Sequence, residues 1–465
     1  MTSACWRQIG STLTVVWVGA TVLSAQAPAQ PLTLDEATQF ALEHYPTVRA
    51  ALEQVNASVA NVDAVHGAYL PRLDALWQSN RATANNVFGQ LLPQSIIPAM
   101  SGPVLPSTSS QSVWGSAGGA LFSWEPFDFG LRHAGMTGAE AAVTRAKAGE
   151  TLTRLEVATA VATAFLDVVA AQRAVVALQA DVERRDVLRR TVHTLVDNQL
   201  RPGAEASRAD AERAAAQTRL IQAQQAAALA QVTLTRVLGV TNPVTIVAES
   251  LLASTPPGDL PAVAASSHPL AQVQQAAVEE ARAQQGVLAK TDYPRVYLQS
   301  SVFARGSGAN ANGILDGGLD GLALDRANWA AGVQVVFPNV FDFSTLNARK
   351  AAAVASTRAE AALYDESILS VTSQQQAAAA LLQAARAVAL NTPIQLAAAQ
   401  QSESQARARY NAGLASIVEV ADAQSLLAAS EVDDQVARVN VWRGLLATAV
   451  AQGDLAPFVT LVRQP

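Results

Sequence analysis

The sequence predicts a mainly α-helical chain with a smaller β part, laid out as two tandem halves. Repetition is the first observation behind this. His44-Tyr45-Pro46 and Tyr69-Leu70-Pro71-Arg72 return as Ser267-His268-Pro269 and Asp292-Tyr293-Pro294-Arg295, and one offset relates both proline pairs. Glu125-Pro126-Phe127-Asp128-Phe129 likewise returns as Asn339-Val340-Phe341-Asp342-Phe343, and a turn at Gly203 returns at Gly413. Ordered landmarks with slow drift indicate repeats of about 200 residues, a plan suited to walls, tubes and transporters and rarely needed by a catalytic site. The second observation is helical spacing of apolar residues over very long runs, and the third is four short segments of alternating character.

The chain divides into residues 1–27, a first repeat 28–265 and a second repeat 266–465. Residues 1–27 read as a secretory signal: Arg7 supplies charge, Ile9 to Leu23 the apolar run, and Ala25-Gln26-Ala27 a small-residue cleavage site. The apolar run of about 15 residues falls short of the roughly 20 that a spanning helix needs. Cys5 is the only cysteine and precedes that run, so after cleavage disulfides, thiolate metal sites and cysteine nucleophiles are excluded. No later segment reaches 18 apolar residues without charge, so no transmembrane helix is expected and any entry into a membrane must use strands. The chain is mildly acidic, with a formal net charge of −6, and no basic face stands out, so nucleic acid is not an expected partner. Charged residues make up 15%, below the roughly 25% of a typical soluble protein, while small side chains suit closely packed helices.

Within each repeat the elements follow one order. A shorter helical region comes first, Thr33 to Ala68 and then Pro269 to Lys290, with Thr33 offering an N-cap above Asp35 and Glu36. Strands come next, in hairpins at about 72–124 and 295–337. Leu73, Ala75 and Trp77 alternate with Asp74 and Gln78; Trp114, Ala120, Phe122 and Trp124 share one parity. Val296, Leu298, Val302 and Ala304 alternate with Tyr297, Gln299 and Ser301, and Trp329, Ala331, Val333, Val335 and Phe337 lie opposite Gln334. Strands of about 10 residues with aromatic residues near their ends fit a tilted membrane-spanning sheet. Two hairpins cannot close a barrel, and open edges are not tolerated in lipid, so this reading demands oligomerisation. The connections at about Asn80 to Ser112 and Gly306 to Asn328 are long enough to be exposed or functional and are expected to face the cell exterior.

A long helix or two stacked ones follow, Leu131 to about Asn198, some 65 residues that reach on the order of 100 Å. Arg201-Pro202-Gly203 breaks it, and Ala204 to Leu238 returns antiparallel. The second repeat has Ser344 to Tyr410, a turn at Asn411-Ala412-Gly413-Leu414, and Ser416 to Ala451, with Pro393 expected to bend the ascending helix or mark a join.

Catalytic signatures are missing. His44, His66, His133, His193 and His268 are scattered, and no GxSxG turn, P-loop or HExxH occurs. Gly306-Ser307-Gly308 is only a near miss for a phosphate loop, and Asp316, Asp320 and Asp325 lack EF-hand spacing. Neither an enzyme, a cofactor nor a metal is expected. Two classes remain on these grounds: a membrane duct, or a soluble periplasmic helical scaffold or adaptor.

Tyr69-Leu70-Pro71 and Tyr293-Pro294 leading into strands, Phe127-Asp128-Phe129-Gly130 and Phe341-Asp342-Phe343 leading out, and Tyr410-Asn411-Ala412-Gly413-Leu414-Ala415-Ser416 at a helix tip resemble the TolC-like outer membrane factor family. That resemblance covers nearly all of the chain after residue 27. It implies duplicated long-helix hairpins that form a trimeric α-helical tunnel continuous with a 12-stranded transmembrane β-barrel, four strands per chain. Segments near Gly239 to Ala265 and after Gly453 would form a girdle around the tunnel. Further implications are a homotrimer in outer-membrane lipid that extends into the periplasm, and passive conduction for an efflux or type I secretion system. A periplasmic adaptor, or membrane fusion protein, and an inner-membrane pump are the implied partners. Ala412, Gly413, Leu414 and Ala415, with Arg201, Pro202 and Gly203 in the first half, resemble the family's adaptor-docking turns. Glu419 and Asp422 resemble acidic pairs that line the family's periplasmic aperture, and Arg208 stands where the first half departs from that pattern, as a partner for either carboxylate.

Overall fold

The computed structural model describes residues 31–86, 90–97, 104, 106–247, 258, 260–310, 312, 314–316, 318–338 and 342–463. The expected signal and the landmark Asn339-Val340-Phe341 lie outside them, as does part of the expected girdle segment.

The first half opens with α1 (Leu34–His44) and α2 (Pro46–Gly67). A single helix over this stretch was expected, and the difference lies at Tyr45. Proline at 46 disfavours the α region for the residue before it, and Tyr45 is extended with φ −69° and ψ 132°. Thr33 caps α1 in a reciprocal box: its hydroxyl accepts from the Glu36 amide at 3.3 Å, and the Glu36 carboxylate accepts from the Thr33 amide at 2.9 Å.

Strands β1 (Arg72–Thr83) and β2 (Ser112–Phe127) follow, then α3 (Leu131–Asp197) and α4 (Gly203–Leu238). The second half brings α5 (Pro269–Lys290), β3 (Arg295–Ser307), β4 (Arg326–Val336), α6 (Phe343–Asn411), α7 (Ile417–Gln452) and a short α8 (Ala456–Arg463). At 67 and 69 residues, α3 and α6 each reach about 100 Å. α6 runs through Pro393 as one helix. Side chains beside the proline tether it to α7: Thr392 donates to Asp434 at 3.3 Å and Gln395 to Ser430 at 3.2 Å. Where α6 crosses α7 there is no room for a side chain at Gly444, whose added Cβ would stand 2.9 Å from the Leu382 Cα.

The core sits partway along the long helices. Phe165, Leu166, Leu234, Leu238, Leu445 and Phe458 are fully buried there, with Trp442 edge-on to Phe458 at 6.2 Å. Leu32 bridges to Ile246, and Arg463 of α8 pairs with Asp35 of α1, so both ends of the described chain close over this collar. By length and composition α3 contains a stretch able to cross a membrane, but half of it is buried. Val161, Phe165, Val168 and Val169 belong to the collar core, which accounts for the apolar run without lipid.

The four strands form one antiparallel sheet in the order β1-β2-β3-β4. Its register sorts residues by chemistry. Leu73 faces Phe122, Ala120 faces both Ala75 and Val302, Val302 faces Trp329, and Leu298 faces both Trp124 and Val333. These belong to one face, on which Leu73, Trp77, Trp329 and Val333 are at least 69% exposed. The alternate residues Gln78, Ser301 and Phe303 are buried. Over Phe303 lies the β1–β2 connection. Its residues 90–97 fold back over that second face, where Ile97 packs against Ala117 and Phe303. A connection turned wholly to the exterior was expected; the apolar Leu91, Ile96 and Ile97 gain burial instead.

Sheet meets helices at a tight joint. Asp128 accepts from the Arg132 amide at 2.6 Å, the Arg132 Nε at 2.9 Å and the Gly130 amide at 3.1 Å. Partial burial pushes the Asp128 carboxyl up, but these bonds outweigh it and hold it below its ordinary value. Arg132 also lies over the Tyr69 ring, 4.6 Å from its centroid, and Trp124 donates to the Tyr69 carbonyl at 3.0 Å. Asp128→Ala is expected to cost about 1–2 kcal/mol and to fray the start of α3, read as faster amide exchange over Leu131–Gly135. Because the folded carboxyl is depressed, its stabilisation is present above the unfolded value and is lost as pH falls through the folded one.

Candidate functional site: the helix tips

At the end of the helices remote from the sheet, two turns lie side by side. In the second half α6 ends in a Schellman motif: Gly413 is left-handed with φ 75°, its amide donates to the Tyr410 carbonyl at 3.0 Å, and the Leu414 amide donates to the Arg409 carbonyl at 2.8 Å. The first half builds the same motif one helical turn before the glycine that the sequence pointed to. Gln199, with φ 57°, takes the left-handed position; its amide donates to Val196 and that of Leu200 to Leu195. Gly203 is instead the first residue of α4, behind the N-cap Pro202. The counterpart of Gly413 is therefore Gln199, at the offset that also relates Asp128 to Asp342. Asn can replace Gly at such a cap, and a glutamine there escapes a search for turn glycines.

This alignment pairs Leu200 with Leu414, Pro202 with Ser416, Glu205 with Glu419 and Arg208 with Asp422. Leu200 and Leu414 are 70% and 71% exposed, two apolar knobs at the extreme tip. Leu200 and Glu205 were not among the residues singled out from sequence. Ser416 and Glu419 form a capping box at the start of α7, which gives Glu419 a local structural role.

Between the turns, Arg201 and Tyr410 interlock. The Arg201 guanidinium donates to the Tyr410 carbonyl at 3.0 Å, stands 4.7 Å from the centre of the Tyr410 ring and pairs with Glu205 at 3.6 Å. The Tyr410 hydroxyl donates to Glu205 at 2.7 Å. Tyr410 is buried among Val192, Ala206, Ala209, Ala415, Ile417 and Val420. Burial and the Glu205 carboxylate push its phenol up to about 12. One of the six tyrosines should accordingly ionise last in an absorbance titration, and Tyr410→Phe should abolish that step. A raised phenol stabilises below about pH 10, and the contribution fades as pH rises towards about 12.

The residues named from sequence fall into different environments. Pro202, Gly203, Ala412, Gly413 and Leu414 are exposed, whereas Ala415 is buried in the tip core and Arg201 is held in the interlock. Glu419 pairs with Arg409 at 3.2 Å, and Asp422 is exposed. Arg208 pairs with Glu212 at 3.3 Å, so within one chain its described ion pair is to neither Glu419 nor Asp422. Further along α3, a buried charge cluster had no signal in the sequence. Arg185 and Asp181 are buried at 3.0 Å, and Arg185 also reaches Glu212 of α4 at 3.0 Å and Ser425 of α7 at 2.9 Å. Beside it Arg184 makes a two-pronged pair with Glu431 of α7. No group of side chains able to hold a metal is found among the described residues.

Residues 37–240 and 260–441 match the model of the outer membrane efflux protein family. The chain belongs to that family, and is an outer membrane efflux channel whose body extends into the periplasm. Solved outer membrane proteins share its fold. VceC from Vibrio cholerae is 18% identical with a TM-score of 0.71, over 90% of this chain and 96% of that one. The open state of Neisseria gonorrhoeae MtrE is also 18% identical, TM-score 0.71, over 90% and 89%. Campylobacter jejuni CmeC is 14% identical, TM-score 0.71, over 90% and 85%. No curated protein matches the chain by sequence.

Proposed function

We propose that three copies of this chain close one twelve-stranded barrel in the outer membrane above one periplasmic tunnel of helices. Solutes pass through passively, delivered by an inner-membrane pump through a periplasmic adaptor protein. The observation that carries this reading is the four-stranded sheet, which presents an exposed apolar face and ends in β1 and β4, edges that pair with no further strand among the described residues. Lipid tolerates no such edge, so β4 of one copy must meet β1 of the next. Apolar residues left exposed along α4 and α6, among them Ile221, Leu229, Leu369 and Leu390, are covered in the same assembly.

In this assembly the tips gather at the inner end of the tunnel. Six carboxylates from Glu419 and Asp422 surround the aperture and favour cations there, with Arg208 at the position that matches Asp422 in the first half. Leu200, Leu414 and the exposed Pro202, Gly203, Ala412 and Gly413 form the adaptor surface, with Arg201 and Ala415 holding its shape. Cell fractionation tests the reading: the protein should stay with outer membranes and require detergent, and recovery in the periplasmic wash would reject it. Glu419→Ala with Asp422→Ala should weaken cation selectivity in planar bilayers; unchanged selectivity would remove those residues from the aperture. The cargo follows from the pump that delivers it.

A further inference from the structure

We infer that residues 319–324, in the β3–β4 connection, form a strap on the outside of the barrel that rests on lipid of the outer leaflet, at the boundary between headgroups and acyl chains. The inference rests on the trimeric barrel proposed above, because only that barrel turns the exposed apolar face of the sheet towards lipid.

Close backbone contacts fix the strap to that face. The register sets Gly118 opposite both Trp77 and Ala304, and Ser116 opposite both Ser79 and Gly306. Ser116, Gly118 and Gly306 therefore share the face of Leu73, Trp77 and Trp329. Onto them comes a short 3-10 turn, Asp320–Leu322. The buried Ser116 hydroxyl donates to the Gly321 carbonyl at 3.0 Å. A Cβ at Gly321 would run into the Trp114 carbonyl, and one at Gly306 into the Ala323 carbonyl. Glycine at both positions is what lets one backbone lie directly on the other. A Cβ at Gly118 would stand 3.3 Å from the Leu324 Cδ1 and 3.4 Å from the Trp77 Cδ1, so Leu324 lies beside Trp77 on the outer wall.

Position and charge select lipid as the occupant. The turn packs on β2 and β3, the middle strands of the sheet, whereas neighbouring copies join at β1 and β4. Contact between subunits therefore leaves the strap uncovered. Leu319 is 67% exposed and Leu324 is exposed too, and both continue the apolar belt of Trp77 and Trp329. Residues 306–325 carry no Lys or Arg, and the exposed Asp320 and Asp325 flank the two leucines. Carboxylates are costly in hydrocarbon, so the leucines draw the strap down and the aspartates stop it at the headgroups. The strap thereby holds the outer rim of the barrel at one depth.

Nitroxide labels read this depth directly, because Cys5 is the only native cysteine and is expected to leave with the signal. The labelled trimer is reconstituted in vesicles of phosphatidylcholine and phosphatidylglycerol. Collisions are then measured with oxygen, which concentrates among acyl chains, and with a neutral nickel complex, which stays in water. Leu414 at the helix tips, 71% exposed, is the matched leucine in water, and Trp77, 73% exposed, is the reference on the barrel wall. The oxygen-to-nickel ratio at Leu319→Cys should exceed that at Leu414→Cys at least about threefold and approach that at Trp77→Cys, since apolar surroundings exclude the polar complex. Leu324→Cys should read the same, and it decides if Leu319→Cys fails to assemble. A ratio equal to that at Leu414 would place the strap in water, and few collisions with either reagent would place it under protein; either result overturns the inference. A water-like ratio at Trp77 would instead reject the barrel, so the two failures are distinguishable.

Discussion

Arg185→Ala should be among the most destabilising single changes in this chain, costing about 3–5 kcal/mol. The residue is 2% exposed, and its guanidinium binds three groups on three helices: Asp181 of α3, Glu212 of α4 and Ser425 of α7. Without it the fully buried Asp181 keeps only Arg219, 3.6 Å away, as an ion partner among the described residues. The cost lies mainly in that stranded carboxylate and not in the lost attraction, because the pair itself is offset by desolvation. Asp181→Leu with Arg185→Met should therefore recover most of the stability. Arg184→Ala, removing a pair that is 23% and 21% exposed, should cost no more than about 1 kcal/mol. Melting of the detergent-solubilised protein separates these cases. A fall on the order of 10 °C is expected for Arg185→Ala, against a few degrees at most for Arg184→Ala. Similar falls for both would show that burial does not govern this cluster.

Arg201→Ala should open the tips. Arg201 carries two links between the start of α4 and the end of α6, the bond to the Tyr410 carbonyl and the contact with its ring, and its pair with Glu205 anchors it to α4. A charged hydrogen bond and a partly desolvated cation–π contact together amount to about 2–4 kcal/mol. If the closed tip depends on that coupling, its loss shifts the open population by tenfold or more, since each 1.4 kcal/mol is about a factor of ten. In the proposed trimer three copies act on one aperture, so mean single-channel conductance should rise well above the wild-type value. Tyr410→Phe deletes only the bond to Glu205 and keeps the ring, and should raise conductance less. No change in either variant would make the interlock a packing feature alone.

Helices α3 and α4 were legible because no proline interrupts them. Absence of proline from Leu131 to Asn198 and the break at Pro202 placed α3 and α4 to within a residue or so. Pro46 ends α1 because it acts on the residue before it, an effect that helical periodicity does not reveal. Strand pairing followed from alternation, which is why the exposed apolar face was readable. The inward fold of residues 90–97 was not, since a few apolar residues in a polar loop carry no direction. At the tips Gly413 was visible as a turn glycine, but its true partner Gln199 was not, because hydrogen bonding and not residue type sets that cap. The Arg185 cluster was invisible for a related reason: its members are scattered along three helices, and only packing brings them together.

The central claim is closure by three, and engineered disulfides test it most directly. One cysteine in β1 and one in β4 stand on opposite edges of a four-stranded sheet and are too far apart to pair within a chain. A scan of such pairs, oxidised in the outer membrane and resolved on denaturing gels, should yield at a matching register a ladder of covalent species that ends at three chains. A ladder that never leaves the single chain, or one that continues beyond three, would contradict the assembly.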